Sequence, residues 1–233
     1  MAQKLPGLTI VLPCLDEAEN LADAVRCATE AGARCAERHE VVIVDDGSTD
    51  ATTAVAATLA SADPRVRLVV HAANRGYGEA LRSGIAAAAM PWVLLIDADL
   101  QYDLGDLVDF LPAAERADVV VGRRIVRRVP LGRRAADAAW RRFVGAVLRL
   151  DACDADCAFR LVRRDVLVRL DLRAGGALVG PELLVKSRAA GARVVELPVR
   201  HRVRVAGRGA GTGRRLTPRT GRELRGLRLI SRG

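Results

Sequence analysis

Five short apolar runs constrain this chain more than any other feature: LTIVLP (8–13), EVVIVD (40–45), VRLVV (66–70), WVLLID (92–97) and DVVVG (118–122). Each is rich in Val, Ile and Leu and unbroken rather than alternating, as strands covered on both faces are. Between them, Glu17 to Ala31 and Gly78 to Ala89 carry Leu, Val, Ile and Ala at helical spacing. Asp16 followed by Glu19 reads as a capping box, and Gly32 as the stop of the first helix. The alternation predicts an α/β chain: a single, doubly wound, mostly parallel sheet flanked by helices. At 233 residues and 50% hydrophobic content the chain can bury one sizeable core, and no internal repeat divides it.

After about residue 122 the rhythm changes to Arg-rich stretches, a helix-like span from Ala135 to Leu150 and a mixed region to about Pro198. The expected layout is one domain over 1–205, split near 125, with a basic Gly/Arg-rich tail over 206–233. That tail has little apolar periodicity before Leu224, Leu227 and Ile230, so part of it is expected to be mobile without a partner.

The formal charge of +9 predicts a surface that attracts phosphates, anionic lipids or nucleic acid. Lys4 and Lys186 are the only lysines, so the charge is nearly all guanidinium, which suits bidentate phosphate contact. Aromatic content of 3% is too low for the stacking platforms of single-strand binders, so nucleic acid is not the expected partner. The five cysteines, Cys14, Cys27, Cys35, Cys153 and Cys157, are odd in number and form no CxxC pair, which fits a reducing cytoplasm. No segment approaches the roughly 18 apolar residues of a membrane span, so any membrane contact is expected to be peripheral.

In an open α/β sheet, ligands sit beyond the carboxyl ends of the strands. Here three such ends are acidic: Pro13-Cys14-Leu15-Asp16-Glu17, Asp45-Asp46-Gly47-Ser48-Thr49-Asp50 and Asp97-Ala98-Asp99-Leu100-Gln101. Carboxylates gathered on one edge repel one another, a cost that a cation or ligand offsets. Asp97 and Asp99, with Gln101 as a further oxygen donor, form a hard set suited to Mg²⁺ or Mn²⁺. VDDGSTD also reads as strand, turn and helix cap, and NRGYG as a turn entering a helix.

IVLPCLDEAENL, VVIVDDGSTDAT, NRGYGEALRSGI and LLIDADLQYD, in this order, resemble the family 2 glycosyltransferases of the GT-A fold. Within them the chain is most similar to the dolichyl- or polyprenyl-phosphate sugar synthases, the group that includes dolichol-phosphate mannose synthase. DADCAFRLVRRDVL and GPELLVKSRAAGARVVELPVRHR extend the likeness to about residue 205. The resemblance implies an inverting hexosyltransferase that takes its sugar from a nucleotide diphosphate of the GDP-mannose or UDP-glucose type and gives it to a polyprenyl-phosphate lipid. It implies work at the cytoplasmic face of a membrane, peripherally attached.

Residue by residue, it implies that Pro13, Asp16 and Glu17 line the nucleotide pocket and that Asp45 and Asp46 hold base and ribose. Leu15-Asp16 stands where the family has Tyr-Asn. Asp97, Asp99 and Gln101 match the metal site, and Arg202 lies in a loop over the diphosphate. Asp99 is thereby catalytic, and Asp154 is the acid that aligns or deprotonates the acceptor. Arg124, Arg133 and Arg134 are candidates for the acceptor phosphate, and Glu182 belongs near them. The basic span with Trp140, Phe143, Val144, Val147 and Leu150 reads either as an interfacial helix or as an ordinary core helix. Two alternatives stand beside this reading: a family 2 enzyme acting on a soluble or polymeric glycan, and a non-catalytic phosphate- or nucleic-acid-binding module.

Overall fold

A computed structural model of the chain describes residues 3–126, 139, 142–148, 155–176, 178–202 and 218–230. The predicted runs are β1 (Leu8–Cys14), β2 (His39–Asp45), β3 (Val66–Val70), β4 (Trp92–Leu95) and β5 (Val119–Val126). With β6 (Arg160–Arg163) and β7 (Val194–His201) they form one seven-stranded sheet of order β3-β2-β1-β4-β6-β5-β7. Every pairing is parallel except those of β6, which runs antiparallel to β4 and β5.

β1, β2 and β4 are continuously apolar because both faces are covered, whereas β3, at the sheet's edge, exposes Arg67 and Val70. Ile10, Leu12, Val41, Ile43 and Leu94 share a core with α1 (Ala18–Cys35), α2 (Thr52–Ala62) and α4 (Leu107–Ala114). Their strand neighbours Val11, Val42, Val44, Val93 and Leu95 pack into a second core on the other face. That core holds α3 (Tyr77–Ala87), α5 (142–148), α6 (Arg164–Arg169), α7 (Val179–Ala189) and α8 (Pro218–Ile230). On α5, Val144 and Leu148 turn inward while Phe143 is 44% exposed; Trp140 and Leu150 lie outside the described residues. The late periodicity of the tail is that of α8, whose Leu224 and Leu227 are buried. Among the described residues no helix is long and apolar enough to cross a membrane.

Two local expectations are corrected. The helix start is not a capping box: α1 begins at Ala18 after Glu17, which makes no side-chain cap, and Asp16 is turned elsewhere. Gly32 does not end the helix, which runs on to Cys35. A side chain at Gly32 would meet the His39 ring at 2.7 Å, so the glycine serves close approach of α1 to β2.

The chain steps from β1 to β2 to β3 on one side and returns to place β4 on the other. The direction of winding therefore reverses between β1 and β4, where an open sheet forms its crevice.

Candidate active site

Pro13 marks the mouth of that crevice. The last β1–β4 pair is Val11↔Leu95, whereas Pro13 still faces Val44 of β2. Its missing N–H falls where β1 has already left β4, so a proline is tolerated in a central strand. The chain then turns at Asp16, whose φ of 53° lies in the left-handed region that Asp and Asn tolerate best after Gly.

Six hydrogen bonds sew this turn to the loop after β2. Asp16 Oδ1 accepts from Thr49 N (2.7 Å), Thr49 Oγ1 (3.2 Å) and Asp50 N (3.3 Å). In return Asp16 N donates to Ser48 Oγ (3.0 Å), Glu17 N to Thr52 Oγ1 (2.8 Å) and Ala18 N to Asp50 Oδ2 (3.3 Å). These last contacts satisfy the open N–H groups at the start of α1, which explains why no local cap is needed.

Asp45 and Asp46 face inward. Asp45 is fully buried, accepting from Ser48 N (3.0 Å) and Ser48 Oγ (2.5 Å) on one oxygen and from Thr53 Oγ1 on the other. Asp46 Oδ1 takes Arg75 N (3.0 Å) and His71 Nδ1 (2.6 Å), and Oδ2 takes Gly76 N (2.8 Å). His71 passes the chain on to Ser83 Oγ at 2.8 Å. What the two carboxylates hold in this structure is the turn after β2 and the NRGYG loop. The field they and their neighbours create is felt by Cys14: burial first, then the charges of Asp45, Glu17, Asp50 and Asp46, push its thiol far up.

Across the crevice, Asp97 Oδ1 accepts from the Tyr77 hydroxyl at 2.8 Å. Burial pushes the Asp97 carboxyl up; the Tyr77 bond and the charges of Arg160 and Arg124 oppose this, and Glu17 adds to it. Glu17, Arg124 and Arg160 thus share one electrostatic neighbourhood with Asp97. Burial likewise drives the Tyr77 phenol well above its ordinary value. Asp99, 9% exposed, accepts from Gln101 N at 3.1 Å. The intervening Leu100 has φ 59°, a strained conformation for a leucine, held by its packing against the core.

The segment after Asp99 is zipped to the end of β7. Arg202 N donates to Gln101 O (2.7 Å), and Gln101 Nε2 to Arg202 O (3.1 Å). Arg200 binds Asp106 and Arg202 Nη2 binds Asp103 Oδ2 at 2.6 Å. Arg202 is therefore beside Gln101, with its guanidinium on Asp103. With its amide nitrogen engaged, Gln101 keeps its oxygen for ligation. Among the described residues no three His, Cys, Asp or Glu side chains are grouped to hold a metal. Asp97, Asp99 and Gln101 would offer a cation two carboxylates and an amide oxygen, a donor chemistry that suits a hard divalent ion.

Arg124, half-buried on β5, belongs to this neighbourhood. Arg133, Arg134 and Asp154 lie outside the described residues. Glu182, 2% exposed on α7, accepts from Arg173 N (2.9 Å) and Ala174 N (2.7 Å) and pairs with Lys186 Nζ (2.7 Å). It braces the loop after α6, whose Gly175 O receives Gly78 N at 3.2 Å. Glu182 and Lys186 also line a groove of about 680 Å³ beside α8. Tyr77 and His71 are not singled out for chemistry by the sequence reading; the signal for Tyr77 is its place directly after the turn glycine of NRGYG. Arg160 matches the last position of the DADCAFR motif, with no separate role attached to it.

The model of a family described as Glycosyl transferase family 2 matches residues 9–170. The chain is 38% identical over 220 residues to an uncharacterized glycosyltransferase of Mycobacterium tuberculosis, covering 89% of this chain and 90% of that one. It is 28% identical over 172 residues to an undecaprenyl-phosphate 4-deoxy-4-formamido-L-arabinose transferase of Pectobacterium carotovorum, with 72% and 52% covered. Among solved structures, glucosyl-3-phosphoglycerate synthase from M. tuberculosis in complex with phosphoglyceric acid superposes with a TM-score of 0.71 at 20% identity, covering 97% of this chain and 80% of that one. The same enzyme with Mn²⁺ and uridine-diphosphate-glucose gives 0.67 at 22% identity, with 88% and 73% covered. These likenesses give the fold as GT-A, and the chain belongs to glycosyl transferase family 2.

Proposed function

We propose that this chain is an inverting, metal-dependent hexosyltransferase that moves a sugar from a nucleotide diphosphate to a polyprenyl phosphate at the cytoplasmic face of a membrane. The observation that carries the reading is the meeting of acidic strand ends at the β1/β4 crevice, where a partly buried Asp97 is held by the Tyr77 hydroxyl and Asp99 sits on a strained turn. A Mg²⁺ or Mn²⁺ ion held by Asp97, Asp99 and Gln101 would neutralise charge growing on the departing diphosphate. Pro13, Asp16 and Glu17 form the opposite wall for the nucleotide, with Asp45 and Asp46 shaping it from behind and Arg202 at its rim. Displacement in one step at the anomeric carbon inverts configuration and needs no protein nucleophile. A phosphate acceptor is already anionic, so Asp154 has only to align it. Arg124, with its charge bearing on Asp97, is suited to grip that phosphate, and Arg133 and Arg134 to extend the grip.

The activity of the undecaprenyl-phosphate relative supports the lipid acceptor, and the Mn²⁺ and uridine-diphosphate-glucose on the fold neighbour support donor class and metal. The phosphoglyceric acid on that neighbour favours a second reading, a small soluble phosphorylated acceptor. One assay separates them: labelled GDP-mannose and UDP-glucose, each with Mn²⁺ or Mg²⁺, offered membrane extract or phosphoglyceric acid. Label entering the organic phase is the expected result; label confined to a water-soluble product overturns the lipid acceptor. Asp99→Asn abolishes transfer with the fold intact, and near-normal turnover by it refutes the metal role.

A further inference from the structure

We propose that the Tyr77 hydroxyl is a positioning group for the cation site, fixing the Asp97 carboxylate so that Oδ2 faces the metal. The inference rests on the metal reading given above and adds to it a residue that no motif assigns. Tyr77 opens α3, and its backbone is clamped on both sides. Before it, Gly76 adopts φ 93°, which favours glycine, and both Arg75 N and Gly76 N are held by Asp46. After it, Gly78 is pressed so closely on the loop after α6 that a Cβ would lie 2.0 Å from Ala174 O.

The ring between these clamps leaves its hydroxyl 2.8 Å from Asp97 Oδ1. A phenol on one oxygen makes metal coordination through the other oxygen the available mode. It also fixes the carboxylate's rotation before any ligand arrives. Hydrogen bonds of this kind to a metal-binding carboxylate hold the ligand in its productive orientation, and losing one costs about 10–100-fold in metal affinity. The preceding Gly76 N donates to Asp46, so one turn ties the carboxylate after β2 to the Asp97 carboxylate.

The test compares wild type with Tyr77→Phe, which keeps the ring and its packing. Free Mn²⁺ is measured by electron paramagnetic resonance without donor, and donor KM and kcat are measured across Mn²⁺ concentrations. The expected result is Mn²⁺ affinity about tenfold weaker or more, with most of kcat regained at saturating Mn²⁺ and an unchanged circular dichroism spectrum. Equal Mn²⁺ affinity in the two proteins overturns the inference while leaving the metal site itself standing. A wild type that binds no Mn²⁺, together with an active Asp99→Asn, sinks the metal reading and this inference with it. A second measurement uses the wild-type chain alone. With 3-fluorotyrosine at Tyr77 and Tyr102, assigned through Tyr102→Phe, Mg²⁺ should shift the Tyr77 fluorine resonance; an unmoved resonance in metal-bound protein refutes the contact.

Discussion

Replacing Glu182 by Ala tests whether this carboxylate serves the fold or the acceptor. The structure assigns it two backbone N–H groups, Arg173 N at 2.9 Å and Ala174 N at 2.7 Å, and the Lys186 ammonium at 2.7 Å. Lys186 is 15% exposed and keeps the Asp171 carbonyl, so it recovers part of its loss from water. Ala174 N recovers least, because Ala174 is buried, while Arg173 N is only part-buried. At about 1–3 kcal/mol for each orphaned buried donor, the variant should lose about 3–4 kcal/mol. For a chain of this size that is a fall in Tm of roughly 6–16 °C. Glu182→Gln keeps one acceptor oxygen and should lose about half as much. Thermal melts followed by circular dichroism give the numbers, and acceptor KM measured well below the transition should change little. A Glu182→Ala protein that melts with wild type but needs far more acceptor would refute the bracing role and return Glu182 to the acceptor site.

Three further outcomes follow from the same geometry. Gly78→Ala drives a Cβ into Ala174 O and Gly175 Cα, both backbone, and should cost about 1–3 kcal/mol in urea unfolding; Gly176→Ala, with nothing within 4 Å, is the matched control. Asp16→Asn should preserve stability, since Asn tolerates the positive φ and keeps an acceptor for Thr49 N, whereas Asp16→Ala should lose about 1–2 kcal/mol; equal melting of the two variants would contradict this. Asp118 is held below its ordinary value of 3.8 by Arg193 N, then the Arg193 side chain, with Arg163 contributing. A depressed carboxyl stabilises above that ordinary value, and the contribution is lost as pH falls through the native one. Asp118→Asn should therefore be less stable than wild type at pH 7 by no more than about 1 kcal/mol, the pair being partly solvated, and should converge with it in acid. A difference independent of pH would exclude the ion pair as its source.

β1, β2 and β4 were legible because they are buried on both faces, so their apolar runs are unbroken, and each is followed by acids. β6 was not. Its four residues RLVR put Leu161 and Val162 on opposite faces, and Arg160 is 3% exposed, so charge at the strand's start concealed a central strand. The i, i+4 spacing of Glu182 and Lys186 would by itself suggest a surface pair, but α7 is buried from Val179 to Val185, and spacing does not reveal how many sides of a helix are covered. The capping box failed for a related reason: the groups that satisfy the start of α1 come from the loop after β2, more than 30 residues away in sequence.

Two kinds of acid stand at the crevice, and their partners separate them. Asp16, Asp45 and Asp46 are satisfied mainly by backbone N–H and hydroxyl donors, which stabilise a carboxylate without adding net charge. Asp97 has a phenol and the more distant charges of Arg160 and Arg124, and burial still wins, leaving its carboxyl raised. Neutral donors therefore fix the wall's shape but leave its negative potential in place. On the proposed reading, a chain of net charge +9 would meet an anionic donor at an acidic edge, an arrangement that repels a diphosphate until a cation intervenes. The order of events this requires is that metal and nucleotide bind with mutual dependence: donor affinity should rise with Mn²⁺ and Mn²⁺ affinity with donor by the same factor. Donor binding indifferent to metal would mean that the acidic edge is not where the diphosphate rests.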